Sequence, residues 1–306
     1  MHLKPFILTA LALFITAVSQ AQFGGETLSL RIWDNAGAPH SNGLDGNGVT
    51  MDAQRVRLNT VAEMFVYVPE AAKRNGMAVV VCPGGGYEYL SLENEGSKVA
   101  QWLVSNGITA AVLKYRMPNG HPEVPREDVE QAIRIMRGDF AGMDGSIAHK
   151  MEGVACSTVG VAGFSAGGHL AAYVSAMGAV RPDFTVLFYP VITGEEGLCH
   201  AGSFDNLLGR GRTAQLTAVY SLENRVDAKT PPAIIFVSDD DRGVPPVSST
   251  RYYDALKRHG KAASLHIYPA GGHGWGMRET FAWSSEWRAS LLDWLGRLPA
   301  KAENSK

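Results

Sequence analysis

The chain has 306 residues, of which 45% are apolar and 19% charged, and its formal net charge is −2. These proportions are typical of a globular protein with a substantial core, and they exclude a disordered chain. The small net charge and the absence of a long basic run argue against nucleic-acid binding.

The first 21 residues have the pattern of a secretory signal peptide. Residues 1–4 carry positive charge, residues 5–18 are almost wholly apolar, and Ser19-Gln20-Ala21 offers small residues at cleavage-site spacing. The apolar run is shorter than the ~20 residues that a membrane-spanning helix needs. We therefore expect cleavage after Ala21, a secreted or periplasmic protein without a membrane anchor, and one folded domain over residues 22–306.

Antiparallel strand patterns come first in the mature chain. Residues 27–33 alternate between polar and apolar, residues 35–51 indicate a loop, and residues 55–68 indicate one or two antiparallel strands. From residue 77 onward, strand and helix patterns alternate. The predicted strands are residues 77–82, 108–115, 158–164, 184–189, 233–238 and 263–268. The predicted helices are residues 96–105, 125–137, 166–177, 248–259 and 281–298.

Residues 192–230 interrupt this alternation and are too long for a plain loop. We predict a small helical insertion above the sheet, with short helical pieces at residues 203–208 and 221–226 that begin at serine caps. The remaining elements predict an α/β fold with a mostly parallel central sheet and helices on both faces.

A G-x-S-x-G pattern occurs at residues 163–167, between a predicted buried strand and a predicted helix. A serine on so sharp a turn has a strained backbone, and the flanking glycines avoid collisions with the neighbouring strand and helix. The helix N-terminus behind the serine favours negative charge at that point. Ser165 is therefore the candidate nucleophile, with a glycine-rich turn that carries no chemistry as the alternative.

Three glycines, Gly84-Gly85-Gly86, directly follow the predicted strand at residues 77–82. Without side chains, their backbone N–H groups can turn toward a ligand, as an oxyanion hole requires. We expect the N–H groups of Gly85 and Gly86, together with that of Ala166, to form such a hole. A plain tight turn is the alternative.

Three carboxylates, Asp239, Asp240 and Asp241, follow the predicted strand at residues 233–238. Adjacent carboxylates repel one another unless one is paired, and pairing with a histidine would be useful at this sheet edge. Asp241 fits that role best and Asp240 is second. The carboxylates that are left over are interpreted as solvated loop or capping groups.

His273 lies between glycines in a loop that follows the last predicted strand, and it is the only one of nine histidines at such a place. His169, four residues after Ser165, is expected to face away from the nucleophile. The order Ser165, Asp241, His273 along the chain is the triad order of α/β hydrolases.

The chain contains three cysteines, Cys82, Cys156 and Cys199, and the odd number leaves at least one free thiol. Cys82 ends an apolar strand and is interpreted as a core residue, whereas Cys156 and Cys199 could pair. Neither C-x-x-C nor H-E-x-x-H spacing occurs. We therefore expect neither a metal nor another cofactor.

These motifs make the sequence similar to the α/β-hydrolase superfamily, and more narrowly to secreted bacterial carbohydrate esterases that include acetyl xylan esterase-like enzymes. The resemblance rests on P-G-G-G-Y at residues 83–87, L-K-Y-R at 113–116, G-F-S-A-G-G-H-L at 163–170, S-D-D-D-R-G-V-P-P at 238–246 and G-G-H-G-W-G at 271–276. It extends over residues 30–298. The broader lipase and esterase group has H-G-G-G in place of P-G-G-G, a difference that leaves the backbone donors intact.

The resemblance implies a serine esterase that removes acetyl or similar short acyl groups from plant-type polysaccharide or oligosaccharide. Tyr87 stands beside the expected oxyanion glycines and Trp275 lies two residues after His273. Because aromatic faces suit sugar rings, we predict that both contact the substrate, although Trp275 could equally pack its own loop.

Other functions remain open at this point. A feruloyl or general short-chain carboxylesterase would use the same residues, as would a serine peptidase of the prolyl-oligopeptidase type. Such peptidases usually carry a propeller or another large domain, of which the sequence gives no sign. A silent glycan-binding protein is disfavoured by the complete triad, and no carboxylate pair stands out for a glycosidase. The oligomeric state is not indicated.

Overall fold

A computed structural model describes residues 26–33, 37–52, 54–143 and 145–298. The predicted signal peptide, residues 1–21, lies outside the described residues. Eight strands of the described chain form one sheet: β1 (Glu26–Arg31), β4 (Glu63–Val68), β5 (Met77–Cys82), β7 (Thr109–Lys114), β8 (Thr158–Phe164), β9 (Thr185–Phe188), β10 (Ala233–Ser238) and β11 (Ala263–Tyr268). Three short strands form a second sheet: β2 (Thr50–Met51), β3 (Arg55–Arg57) and β6 (Tyr89–Ser91).

The large sheet has the strand order β1-β4-β7-β5-β8-β9-β10-β11. The pairs β1–β4 and β4–β7 are antiparallel, and every pair from β7 to β11 is parallel. The chain runs from β5 to β7 in one direction and then crosses to β8 on the opposite side of β5. Ligand sites of open α/β sheets lie at the carboxyl ends of the strands where the order reverses in this way.

Eight α-helices of the described residues cover the sheet: α1 (Lys98–Ser105), α2 (Glu123–Met136), α3 (Gly145–Lys150), α4 (Ser165–Met177), α5 (Ala201–Leu208), α6 (Ala214–Val219), α7 (Val247–Arg258) and α8 (Ser284–Gly296). Helices α1 and α8 pack on one face, and α2, α4 and α7 pack on the other. None of the helices in this part of the chain has the length and apolar character needed to cross a membrane. The predicted fold class is confirmed.

Both faces of the sheet are buried around its central strands, which are mostly apolar. In β5, Val80 and Cys82 contribute to the core on the α2–α4–α7 side, whereas Val79 and Val81 contribute to the core on the α1–α8 side. A strand buried on both faces therefore reads as a continuous apolar run, and such runs locate strands well from sequence.

The insertion at residues 192–230 does contain helices, but their starts differ from the prediction. Helix α5 begins at Ala201, with His200 as its N-cap in place of a serine. Thr213 caps α6, which the sequence pattern did not reveal, and Ser221 precedes a short 3₁₀ turn at Leu222–Asn224 without a capping side-chain bond. Cap preferences are weak signals here because a histidine ring nitrogen can accept the same backbone bond.

The suggested pairing of Cys156 with Cys199 is wrong: both thiols are free, as is that of Cys82. Cys156 precedes β8, at the amino ends of the parallel strands, and its Sγ contacts the carbonyl of Val154. Cys199 lies in the insertion that follows β9, beyond the carboxyl ends. The two thiols therefore lie at opposite ends of the parallel strands.

Candidate active site

The turn from β8 into α4 places Ser165 at the first position of the helix with a φ of +53°. A Cβ added to Gly163 would lie 2.1 Å from the carbonyl oxygen of Gly167, and one added to Gly167 would lie 2.2 Å from that of Cys82. Both contacts are impossible, so only glycine fits at these two positions. The sharp turn predicted from the G-x-S-x-G pattern is present.

The structure brings together Ser165, His273 and Asp241, which come from three different strand ends. His273 Nε2 lies 2.8 Å from Ser165 Oγ, and His273 Nδ1 lies 2.7 Å from Asp241 Oδ2. The other carboxylate oxygen of Asp241 accepts bonds from the N–H groups of Gly243 (2.9 Å) and Val244 (2.8 Å). Because a carboxylate only accepts, Nδ1 of His273 carries the proton and Nε2 accepts the serine hydroxyl.

The neighbouring carboxylate of Asp240 has a different partner. Its Oδ1 accepts a bond from the N–H of Gly272 (2.7 Å), and this bond holds the pKa of the exposed Asp240 carboxyl below its usual value. Asp241 by contrast is 4% exposed. Of the two aspartates considered from sequence, Asp241 therefore lies against His273. Asp240 instead bonds to the loop that carries His273.

The glycine loop after β5 lies against the serine. The strands β5 and β8 are neighbours, with Cys82 opposite Gly163, and a Cβ added to Gly84 would lie 2.9 Å from Ser165 Cβ. The N–H of Gly84 is already used, because it donates to Glu95 Oε2 at 2.9 Å. This leaves the two glycines that follow as the available donors of the loop.

Two carbonyl bonds orient those donors. The carbonyl oxygen of Gly84 accepts from the N–H of Ser91 (3.0 Å), and that of Gly85 accepts from the N–H of Glu88 (3.0 Å). In a trans peptide the N–H points opposite to the C=O. The N–H groups of Gly85 and Gly86 are therefore held facing away from these partners.

The N–H groups of Gly85, Gly86 and Ala166 have no acceptor among the described residues. Ala166 lies in the first turn of α4, where backbone N–H groups lack helical partners and the helix dipole favours negative charge. The three donors named from sequence thus remain free of protein acceptors in the described structure, as an anion-binding role demands.

Helix α5 of the insertion covers this loop. Asn206 Nδ2 donates to the carbonyl of Gly86 at 2.9 Å. His200 Nδ1 accepts the backbone N–H of Ser203 at 3.2 Å and lies 2.8 Å from the Oγ of the same serine. The His200 ring is 3.8 Å from the point where a Cβ on Gly86 would stand. Burial, followed by the nearby His273, lowers the pKa of His200. Sequence reasoning missed these residues because only the fold brings the insertion over the loop.

The predicted substrate contacts of Tyr87 and Trp275 are not supported, because both side chains are only 2% exposed. The Tyr87 hydroxyl lies 2.9 Å from His169 Nδ1. Trp275 stacks on Phe281 with ring centroids 4.1 Å apart, and its Nε1 donates to Ser238 Oγ at 3.1 Å. Neither ring has a free face for a sugar, and Trp275 packs its own loop.

His169 is a buried structural histidine. Its Nε2 donates to the carbonyl of Tyr220 at 2.9 Å, so Nδ1 is the acceptor of the Tyr87 hydroxyl. Burial lowers the pKa of this imidazole from 6.5 to about 4. His169 is therefore neutral when folded and takes up a proton on unfolding below pH 6.5.

This shift predicts a pH-dependent stability that His169→Gln removes. The unfolded chain protonates the imidazole near 6.5 and the folded chain near 4, so falling pH favours unfolding across that window. Between about pH 7.5 and about pH 5 the wild type is expected to lose about 2 kcal/mol more unfolding free energy than the variant. Urea titrations of both proteins at the two pH values measure it; equal losses would contradict the assignment.

Two further residues join the site that the sequence did not single out, Glu95 and Tyr189. The Tyr189 hydroxyl donates to Glu95 Oε1 at 2.7 Å and accepts from the N–H of Gly276 at 2.9 Å. The Tyr189 ring also stands edge-on to His273, with centroids 4.8 Å apart. Burial raises the pKa of the Glu95 carboxyl, and its hydrogen bonds oppose that shift.

The parallel sheet, the strained serine turn and the Ser–His–Asp chain of hydrogen bonds define an α/β hydrolase. Comparison with known families matches residues 141–301 to the prolyl oligopeptidase family. An acetyl ester-xyloside bifunctional hydrolase from Caldicellulosiruptor lactoaceticus has a similar structure, with a TM-score of 0.73 and 31% identity over 88% of this chain and 95% of that one. The chain belongs to the prolyl oligopeptidase family, within the α/β-hydrolase superfamily of serine hydrolases.

Two curated relatives are longer than this chain. An acetylxylan esterase of Xylanibacter ruminicola is 39% identical over 270 residues, which are 84% of this chain and 54% of the relative. An endo-1,4-beta-xylanase B of Butyrivibrio fibrisolvens is 30% identical over 234 residues, which are 70% of this chain and 34% of the relative. The chain thus spans about half of the first relative and a third of the second.

Proposed function

We propose that this protein is a serine esterase that removes acetyl or similar short acyl groups from plant-type polysaccharide or oligosaccharide. In this proposal Ser165 is the nucleophile, His273 the general base and Asp241 its partner. The N–H groups of Gly85, Gly86 and Ala166 form the oxyanion hole. The apolar leader pattern of residues 1–21 supports action outside the cytoplasm.

The observation that carries the proposal is the hydrogen-bonded chain from Ser165 through His273 to Asp241, with distances of 2.8 and 2.7 Å. A nucleophile, a base within hydrogen-bond reach and a group that orients the base are the elements of nucleophilic acyl transfer. Free backbone donors beside the serine complete the constellation.

In the first step, Ser165 Oγ bonds to the carbonyl carbon of the ester and its proton passes to His273 Nε2. The carbonyl oxygen becomes an oxyanion that accepts bonds from the three backbone N–H groups. The tetrahedral carbon then releases the sugar oxygen, which takes the proton from Nε2. Asp241 stabilises the imidazolium throughout, and the acyl group remains on Ser165.

In the second step, water attacks the acyl carbon and gives a proton to His273 Nε2. The second tetrahedral intermediate places its oxyanion on the same donors. Its collapse breaks the bond to Ser165 Oγ, which recovers the proton from His273, and acetic acid leaves and ionises to acetate in water. Each backbone donor is expected to contribute about 3 kcal/mol to transition-state stabilisation.

The position of α5 supports a short acyl group. The His200 ring and the Asn206 side chain bound the space beside Gly86, which is itself one of the proposed oxyanion donors. An acyl chain directed toward Gly86 and α5 would have to displace this helix, whereas an acetyl group adds a single methyl to the carbonyl. The names of the acetylxylan esterase and acetyl ester-xyloside hydrolase relatives agree with this choice.

The family match favours one second candidate, a serine peptidase of the prolyl-oligopeptidase type. The same three residues would then cleave an amide, for which His273 must protonate a leaving amine. The two candidates differ in leaving group and not in nucleophile, so only turnover on both classes of substrate separates them.

A substrate panel tests the proposal. Purified protein is assayed for acetate release from a set of acetylated polysaccharides, and on p-nitrophenyl acetate, a long-chain p-nitrophenyl ester, a feruloyl ester and a prolyl p-nitroanilide. We expect kcat/KM for the acetyl ester to exceed that for the long-chain ester by about 100-fold or more. Preference for the anilide would establish the peptidase, and preference for feruloyl or long-chain esters would overturn the acetyl assignment.

A further inference from the structure

The buried carboxylate of Glu95 connects to the loop after β5. Glu95 is 5% exposed, and one of its oxygens accepts the N–H of Gly84. A carboxylate removed from water is costly unless its oxygens are hydrogen-bonded. Since the N–H of Gly84 belongs to the residue before the two proposed oxyanion donors, Glu95 holds one end of that loop.

The second oxygen of Glu95 connects to the loop that carries His273. It accepts the hydroxyl of Tyr189, a side chain with no exposed surface, and that hydroxyl accepts the N–H of Gly276. Gly276 lies three residues after His273. The Tyr189 ring packs edge-on against the His273 imidazole.

Glu95 is part of a π-helical turn, Glu93–Ser97, in which the N–H of Ser97 bonds to the carbonyl of Leu92. The preceding residue, Asn94, donates to the carbonyls of Gly274 and Trp275 and accepts the N–H of Met277. π-helical turns are rare and occur frequently at functional sites. Here the wide turn brings Asn94 directly to the loop that carries His273, and it brings Glu95 to the same loop through the Tyr189 hydroxyl.

We propose that Glu95 and Tyr189 act as one positioning clamp. It holds the loop after β5 (residues 83–88, the oxyanion loop) at a fixed position relative to the loop that carries His273 (residues 269–277, the histidine loop). Gly84–Glu95–Tyr189–Gly276 is a continuous hydrogen-bonded path between the two loops. The proposed role rests on the esterase function given above. We expect the clamp to act on kcat, because the distance between the oxyanion donors and the base matters most in the transition state.

Glu95→Gln tests the clamp at its centre. An amide has one acceptor oxygen, so it can serve the N–H of Gly84 or the hydroxyl of Tyr189 but not both. We expect kcat on p-nitrophenyl acetate to fall by about 10- to 100-fold with KM changed by less than about threefold, since a displacement of about 1 Å has such effects. Rates are normalised to active sites titrated with a serine-directed phosphonate.

Tyr189→Phe removes the bridging hydroxyl without changing charge, and it carries the test alone if the Gln variant does not fold. Its matched control is Tyr252→Phe on α7, where the tyrosine is fully buried and its hydroxyl has no hydrogen-bond partner in the described structure. The control is expected to retain the wild-type kcat. The double variant Glu95→Gln, Tyr189→Phe should lose no more than the more severe single variant, because both break the same path.

Four outcomes are distinguishable. Lower kcat with unchanged KM and a non-additive double variant supports the clamp. Wild-type kcat per titrated site in both single variants, with only a lower unfolding free energy, shows a merely structural pair and overturns the clamp. Single-variant losses in kcat that multiply in the double variant also overturn it, because the two residues then act independently. A wild type that does not hydrolyse esters refutes the proposed function instead.

Discussion

Ser165→Ala is expected to lower kcat on p-nitrophenyl acetate by about 10⁴-fold or more and to abolish acetate release from acetylated xylan. In the proposed mechanism the substitution removes the oxygen that forms the acyl-enzyme, whereas the three proposed backbone donors remain. Residual rate above the uncatalysed reaction would then measure what the oxyanion hole contributes alone. Initial rates over a range of substrate concentrations, with the pure variant, provide the measurement.

The fold of this variant should be intact, because alanine keeps the Cβ that fits the turn and the serine hydroxyl bonds to His273 alone among the described residues. Its unfolding free energy is expected to stay within about 1 kcal/mol of the wild type. Circular dichroism and a denaturant titration provide the control. Turnover retained at the wild-type level by a folded variant would rule out Ser165 as the nucleophile.

Asp241→Asn is expected to lower kcat by about 10⁴-fold. The asparagine oxygen would stay on the N–H groups of Gly243 and Val244, which turns the amide NH₂ toward His273 Nδ1. Nδ1 must then accept, so the proton moves to Nε2 and the imidazole can no longer take the proton of Ser165. The loss should therefore appear in kcat at every pH where the enzyme is folded.

Asp240→Asn is the matched control, one residue away. Its exposed carboxylate accepts the N–H of Gly272, a bond that an asparagine oxygen can also accept. Its kcat is expected to stay within about threefold of the wild type. A larger loss in Asp240→Asn than in Asp241→Asn would reverse the assignment of the triad acid.

The strands were predictable where burial on both faces makes the sequence uniformly apolar. Met77–Cys82, Thr158–Phe164 and Ala233–Ser238, which are buried almost throughout, have the predicted bounds. The half-buried edge strand Ala263–Tyr268 also has the predicted bounds, although Ser264 and His266 interrupt its apolar run. Helix ends were less predictable: the last helix begins at Ser284 and not at residue 281. Helix termini depend on local hydrogen bonds that composition records poorly.

The residues of the candidate site also differ in how far the sequence could identify them. Ser165 was recognisable because its turn demands glycines at fixed local positions, and His273 because glycines surround it at a strand end. Asp241 could only be ranked above Asp240, since which carboxylate meets the histidine depends on the path of a loop. The predicted substrate contacts of Tyr87 and Trp275 find no support in the structure, where both rings are buried, because sequence proximity to a site does not say which way a ring turns.

The sequence alone determined the α/β class, the serine turn and the strand ends that carry Ser165, Asp241 and His273, because each depends on short-range sterics or on periodic burial. Only the tertiary structure decided that Glu95 and Tyr189 join two loops and that α5 covers Gly86. Those contacts connect residues far apart in the chain, and a buried carboxylate at position 95 has the same local pattern as a solvated one. Its role arises when the fold removes it from water and supplies two donors.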